Sequence, residues 1–413
     1  MIRYLSFLFV IFSSGCAIAL PSFPTAINRS LPLAITECGD PKWPWHEAGD
    51  VVVGLSLSGG GKRAAAFAYG VMLGLQEVTF NLADGRRTNL LDQVDYVTAV
   101  SGGATAATFY TLVRGSQSNL VEFERFLHDN TEQAIIRRTL NPLNWLTSSA
   151  VIQGEYFSDA LYNNKTFADL PRWPYLLIGA TDLSRGIPFN FSRAQFACIG
   201  SDLASYPLGS AVAASAAYPM FFGTIPLQNF SYKLDTENKK RGPFLALSDG
   251  GLVDNLAIRN YVLLLNRGYL VGDHLETFRK RARAFIFIQV DGSAHLQPGL
   301  EETPTSPGLF TRMGRALEVV FEQQVGDINS YLSRVLSPTL DDLGVQYALL
   351  DLALTDAPSR IRQQVLEIPT RWTLDKQDIA LLVEAGKDVV RSRSETIQKI
   401  RVIFQANSSP SPK

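Results

Sequence analysis

A serine caught between a buried strand and a small-residue helix is the first group in this sequence able to do chemistry. Ser101 follows Asp95-Tyr96-Val97-Thr98-Ala99-Val100 and precedes Gly102-Gly103-Ala104-Thr105-Ala106-Ala107. Strand, serine, helix is the order of a nucleophile elbow, in which small neighbours let the backbone turn sharply. The free N–H groups at the start of the following helix favour negative charge beside the hydroxyl. The G-x-S-x-G pattern is met except at its first position, where Ala99 stands, with Gly102 and Gly103 following the serine. The alternative is a plain helix N-cap serine. A second candidate is Asp249, which ends the strand Phe244-Leu245-Ala246-Leu247-Ser248 and is followed by Gly250 and Gly251. That is either where α/β enzymes place catalytic groups or an ordinary Asp-Gly turn. Asp291-Gly292, after the strand Phe285–Val290, is a decoy of the same kind.

The third candidate is Ser58-Gly59-Gly60-Gly61-Lys62-Arg63, between the apolar run Val51–Leu57 and a helix beginning near Ala64. Three glycines leave backbone N–H groups bare for a ligand. Neither a phosphate-loop pattern nor a complete dinucleotide fingerprint is present. The remaining use is an oxyanion hole.

The elements that must position these residues are legible as alternating apolar runs. Val51–Leu57 reads as a central parallel strand. Tyr175–Ala180 is another strand, with Ile187–Phe191 returning as its hairpin partner. Leu208–Phe222 is a small-residue helix that breaks at Pro219. Residues 133–154 mix Ile135, Ile136, Leu140, Leu143, Trp145 and Leu146 with Arg137 and Arg138. They form either a lid that dips into a lipid interface or a partly buried cover over the site. Beyond Asp291 the chain reads as mostly helical, in Met313–Val335 and Leu374–Phe404.

With 413 residues, 46% of them hydrophobic, and a net charge of −1, the chain is globular in composition and nucleic acid is not an expected partner. Three cysteines without a C-x-x-C pair, and only four histidines, argue against a structural metal site. No cofactor is expected. The N-terminus is a targeting segment, with Arg3 before a short apolar run, Leu5–Phe12. Ser13-Ser14-Gly15-Cys16 resembles a bacterial lipobox, with lipid on Cys16, whereas Ala17-Ile18-Ala19 would release a soluble exported protein. The anchored form is the expectation, placing the protein in a bacterial cell envelope with the membrane as partner. There, Cys38 and Cys198 are either a disulfide or two buried thiols.

Taken in order, Gly59-Gly60-Gly61-Lys62-Arg63, Ala99-Val100-Ser101-Gly102-Gly103 and Asp249-Gly250-Gly251-Leu252-Val253-Asp254-Asn255 resemble the patatin-like phospholipases. Ala180-Thr181-Asp182-Leu183 and Ala213–Pro219 also look like that family's landmarks. Ile368-Pro369-Thr370 and Leu381–Gly386 are similar to the tail of its exported bacterial members. Ala64 and Ala99 replace two glycines of the family pattern.

The resemblance implies an α/β fold of three layers, α/β/α, with a mostly parallel central sheet and additional C-terminal helices. It implies a segment layout of 1–15 signal peptide, 16–50 tether, 51–265 catalytic core, 266–405 strand and helices packed on the core, and 406–413 tail. It implies a serine lipid acyl hydrolase with Ser101 as nucleophile, Asp249 as base, and an oxyanion hole from Gly59, Gly60, Gly61 and Lys62. The substrate would be a lipid or other ester, without metal. Two other readings stay open: a Ser-Asp-His esterase using His274 or His295, and a catalytically silent envelope protein.

Overall fold

The computed structural model describes residues 26–31, 38–39, 49–114, 120–145, 147–219, 221–232, 242–259, 261, 282–294, 306–342 and 344–407. The signal segment, Cys16 and the end of the tail lie outside these residues. The strands are β1 (Arg29–Ser30), β2 (Val51–Leu57), β3 (Thr79–Asn81), β4 (Arg87–Asn89), β5 (Tyr96–Ala99), β6 (Tyr175–Asp182), β7 (Ile187–Asn190), β8 (Ser201–Asp202), β9 (Ile225–Gln228), β10 (Phe244–Ser248), β11 (Ala284–Asp291) and β12 (Gln346–Ala353). Helices that matter to the site are α1 (Gly61–Glu77), α2 (Ser101–Val113), α3 (Val121–His128), α4 (Thr131–Thr139), α5 (Ser149–Ala160), α6 (Leu208–Ser215), α7 (Gly251–Asp254), α8 (Leu309–Tyr331) and α9 (Lys376–Ser392).

The main sheet runs β12-β11-β2-β5-β6-β10-β9, with β7 also paired to β6. From β12 to β6 the neighbours are parallel; β7, β10 and β9 join antiparallel. Parallel strands covered on both faces read as continuous apolar runs, and β2 is buried along its whole length. Its alternate residues serve two cores. Val53, Leu55 and Leu57 join the core beneath α1 and α2. Val52 joins a second cluster on the opposite face with Tyr96, Leu177, Phe285, Phe287 and Val325 of α8. Helix, sheet, helix makes three layers, as the resemblance implied.

Differences from the expected layout follow from long-range pairing. The chain after Asp291 is mostly helical, as expected, but it also holds a strand, since Gln346–Ala353 pairs with β11 along eight residues. The boundary drawn at residue 265 is therefore crossed by the sheet, since β11 and β12 are two of its strands. The small-residue helix stops at Ser215, short of Pro219. The N-terminal segment is tied to the body at two points. β1 pairs with β8, and Cys38 is disulfide-bonded to Cys198 across 160 residues. Helices α1 and α9 cross so closely that a Cβ at Gly70 would lie 2.2 Å from Val383 O, and one at Gly386 2.5 Å from Phe67 O.

Candidate functional site

The three sequence candidates converge at one level of the sheet. β2 and β5 are parallel neighbours with Leu57 opposite Ala99, so the glycine loop and the serine leave the sheet side by side. On the far side of β5, Ala99 pairs with Ile178 of β6. β10 runs against β6 with Ser248 opposite Thr181. One step past β10 and two past β5 both reach the level of Ala180, so Asp249 and Ser101 flank β6.

Ser101 adopts φ 49°, a left-handed backbone that a non-glycine residue holds only under tertiary constraint. The constraint is visible. Its N–H donates to Ser215 Oγ at 2.8 Å, and that hydroxyl donates to Gly179 O at 2.5 Å. The turn closes on the glycine loop, because a Cβ at Gly102 would lie 1.9 Å from Gly61 O, and one at Gly103 2.4 Å from Ser58 O. Ala99 is fully buried in the core under α1, where a methyl group is accommodated.

The Asp249 backbone is held from both ends. Its N–H donates to Ala217 O at 3.0 Å, and its carbonyl accepts from Thr181 Oγ1 at 2.7 Å. Its carboxyl accepts from Gly251 N–H at 2.8 Å, and the Ser101 hydroxyl lies close enough to help pull its pKa down. Burial pushes it up to about 7 against the pull of those two donors. Among the described residues no cation contributes to that balance, so the group changes charge near neutrality.

Residues 55–260, about half of the chain, match the family model described as patatin-like phospholipase. The chain belongs to the patatin-like phospholipase family. No curated protein matches its sequence. Solved structures similar to it include human GIVD cytosolic phospholipase A2, at 13% identity over 96% of this chain and 67% of that one, with a TM-score of 0.46. VipD from Legionella pneumophila is 12% identical over 85% and 67% of the two chains, with a TM-score of 0.35. Likenesses this distant transfer no residue role.

In this member of the family the glycine loop departs from the expected oxyanion set in two places. The Gly59 N–H is already bonded to Asn255 O at 3.0 Å, so it has no donor left to offer. Lys62 turns away: its N–H donates to Arg371 O, and its buried ammonium donates to Phe126 O at 3.1 Å, Asp129 O at 2.6 Å and Thr131 Oγ1 at 3.0 Å. Burial lowers that lysine to about 8. Among the described residues, the N–H groups of Gly60, Gly61 and Gly102 find no protein acceptor. Gly60 (φ 134°) caps α1 and Gly61 (φ 57°) opens it, and the first-turn N–H groups of a helix have no acceptor within it.

Several residues of the site carry no role in the sequence reading. Ser215 supports the elbow. Asn255 joins the acid turn to the glycine loop through its carbonyl, and its amide donates to Ser293 Oγ at 3.2 Å. Arg63, buried, donates to Gly292 O at 3.2 Å and to Ile368 O at 2.9 Å. The Ile368-Pro369-Thr370 motif thereby sits against the loop, a role that only long-range contact reveals. Asp291, the decoy, receives the Ser293 N–H and lies within electrostatic reach of Arg63. Asp254 accepts from the N–H groups of Ile258 and Arg259 and braces the end of α7. His274 and His295 lie outside the described residues. Among the described residues, no cluster of His, Cys, Asp or Glu could hold a metal ion.

Proposed function

We propose that the chain is a serine lipid acyl hydrolase of phospholipase A or esterase type, working through a Ser101–Asp249 dyad and an acyl-enzyme. In the first step Asp249 takes the Ser101 proton as Oγ attacks the ester carbonyl. The tetrahedral oxyanion is met by the N–H groups of Gly60, Gly61 and Gly102. The alcohol leaves with the proton from Asp249, and water, activated by the same carboxylate, then releases the acid. A carboxylate is a weak base for a hydroxyl, so most of the rate must come from the oxyanion donors, each worth on the order of 100–1000-fold. The observation that carries the reading is a strained serine and a buried carboxyl poised near neutrality that flank β6 at one level, beside bare N–H groups. A panel of short-chain esters and phospholipids, wild type beside Ser101→Ala and Asp249→Asn, tests it. A fluorophosphonate should label Ser101 in the wild type. Activity that survives Ser101→Ala, or that depends on His274 or His295 in place of Asp249, would refute the dyad.

We further propose an exported protein anchored by lipid on Cys16. The Cys38–Cys198 bond supports an oxidising compartment. Globomycin-sensitive processing and palmitate-analogue labelling lost in Cys16→Ser are expected. A mature N-terminus at Leu20 without label would favour the soluble exported form.

A further inference from the structure

Five large apolar side chains near the site project into water from one built corner. Leu143 is 88% exposed, Phe221 71%, Trp145 66%, Leu140 56% and Ile136 48%. The first four come from the end of α4, the turn after it, and the segment following α6. Two hydrogen bonds join these pieces. Ser148 Oγ donates to Thr224 O at 3.1 Å, and the Gly223 N–H donates to Ser149 Oγ at 3.2 Å. The corner is held from below. Ile135 is buried, Arg138 pairs with Asp159 at 2.7 Å and lies 5.7 Å over the Tyr156 ring, and Asn144 Nδ2 donates to Arg138 O at 2.9 Å. An apolar patch of this make-up on a folded surface marks a binding face.

We propose that this corner docks onto an anionic lipid bilayer and brings the Ser101–Asp249 site to it, an inference that rests on the hydrolase reading above. Charge selects the occupant. Residues 136–149 contain Arg137 and Arg138 and no acid. Arg137 is exposed and has no acidic partner among the described residues. A second copy docked through the same corner would set Arg137 near its own symmetry mate, whereas anionic headgroups complement it. Tryptophan and leucine beside arginine is the composition of an interfacial segment. The corner is continuous with the site. Phe221 stacks on Tyr218 at 5.9 Å between ring centroids, and Tyr218 lies close enough to Asp249 for that carboxylate to help raise its phenol. Ala217, the next residue back, accepts the Asp249 N–H. An enzyme seated on Leu143, Trp145 and Phe221 therefore presents its dyad beside the lipid.

The test uses the full chain carrying Cys16→Ser, so that no acyl anchor contributes, and Ser101→Ala, so that no lipid is turned over. Sedimentation with phosphatidylcholine vesicles, with and without phosphatidylglycerol, reads binding. Binding is expected to be stronger with phosphatidylglycerol. Leu143→Asp with Trp145→Asp should weaken it by about tenfold or more, and Arg137→Gln by about fivefold on the anionic vesicles alone. The same surface substitutions in an otherwise catalytic chain should leave turnover of a soluble short-chain ester unchanged, which also reports that the fold is intact. No vesicle binding by the parent chain, or binding indifferent to the two aspartates, overturns the proposal. So does a dimer that those aspartates dissolve while vesicles are ignored. Soluble-ester turnover indifferent to Ser101→Ala would instead overturn the hydrolase reading, independently of the vesicle result.

Discussion

As the base of the proposed dyad, Asp249 would carry two opposed demands, a negative charge for catalysis and burial for geometry. Its carboxyl is raised from 3.8 to about 7, so ester turnover should rise with pH through about 7 and level off above it. Stability has the opposite sign. A carboxyl whose folded value lies above its unfolded one is held protonated by the native state between those values. Its contribution therefore declines as pH climbs from about 4 to about 7. Asp249→Asn removes the buried charge, so at pH 8 this variant should be more stable than wild type by about 2–4 kcal/mol. At pH 4 the difference should vanish. Urea titrations at the two pH values check this, and a variant less stable at pH 8 would contradict it. Turnover should meanwhile fall on the order of 100–10,000-fold. Ser101→Ala with Asp249→Asn should be little worse than either alone, because nucleophile and base act as a unit. Asp291→Asn should keep most activity in the same ester assay, since Asp291 faces Arg63 and the Ser293 N–H. Ser101 and Asp249 could be picked out as candidates because each is a polar residue at a strand end followed by two glycines. Gly59 and Lys62 were misread for a physical reason. Which way an N–H points is set by φ and ψ, and residue type does not encode it. A lysine beside a glycine loop can as well reach backwards.

The glycine loop is held as an element, by helices far from it in sequence. Lys62, the second residue of α1, is clamped to the corner between α3 and α4 by three acceptors and lies 4.9 Å over the Phe126 ring. The C-terminal segment closes the other side through Arg371 O and Ile368 O. The start of α1, with the Gly60 and Gly61 N–H groups, is thus fixed between two supports. Lys62→Met would remove three hydrogen bonds from that corner, at a cost on the order of 1–3 kcal/mol. It would also loosen groups that the proposed mechanism needs only when the oxyanion forms. The expected result is a lower kcat for short esters with KM little changed. Steady-state kinetics beside a denaturant titration measures both. A change confined to KM would show that the clamp does not position the loop. The strands and helices around the site could be read from apolar runs and glycines. Their supports could not, because a buried carbonyl acceptor such as Phe126 O leaves no mark on the sequence.

The whole molecule is organised by pairings between distant segments. β11 inserts between β2 and β12, so residues after 280 complete a sheet begun at residue 51. The strand Phe285–Val290 was visible as an apolar run, yet its place beside β2 was not. β12 was hidden because Gln346–Ala353 is rich in leucine and alanine and holds no β-branched residue, a composition that favours helix over strand. The N-terminal strap is the last such pairing. Cys38 and Cys198 enclose most of the sheet's first strands in a covalent loop with a sequence separation of 160. If the bond acts chiefly on the unfolded chain, closing a loop of that length is worth about 5 kcal/mol by chain entropy, and measured losses for native bridges are about 2–5 kcal/mol. The strap anchors at the end of the helix Arg193–Cys198 and at β8, and none of the hydrogen bonds around Ser101 or Asp249 passes through it. Replacing both cysteines by serine should therefore lower stability by that amount while leaving kcat for a short ester near wild type at moderate temperature. Denaturation followed with and without reductant checks the first part, and ester kinetics the second. Wild type should respond to reductant and the double serine variant should not. A wild-type protein that retains two free thiols, or loses no stability on reduction, would show that the strap is held by β1–β8 pairing alone.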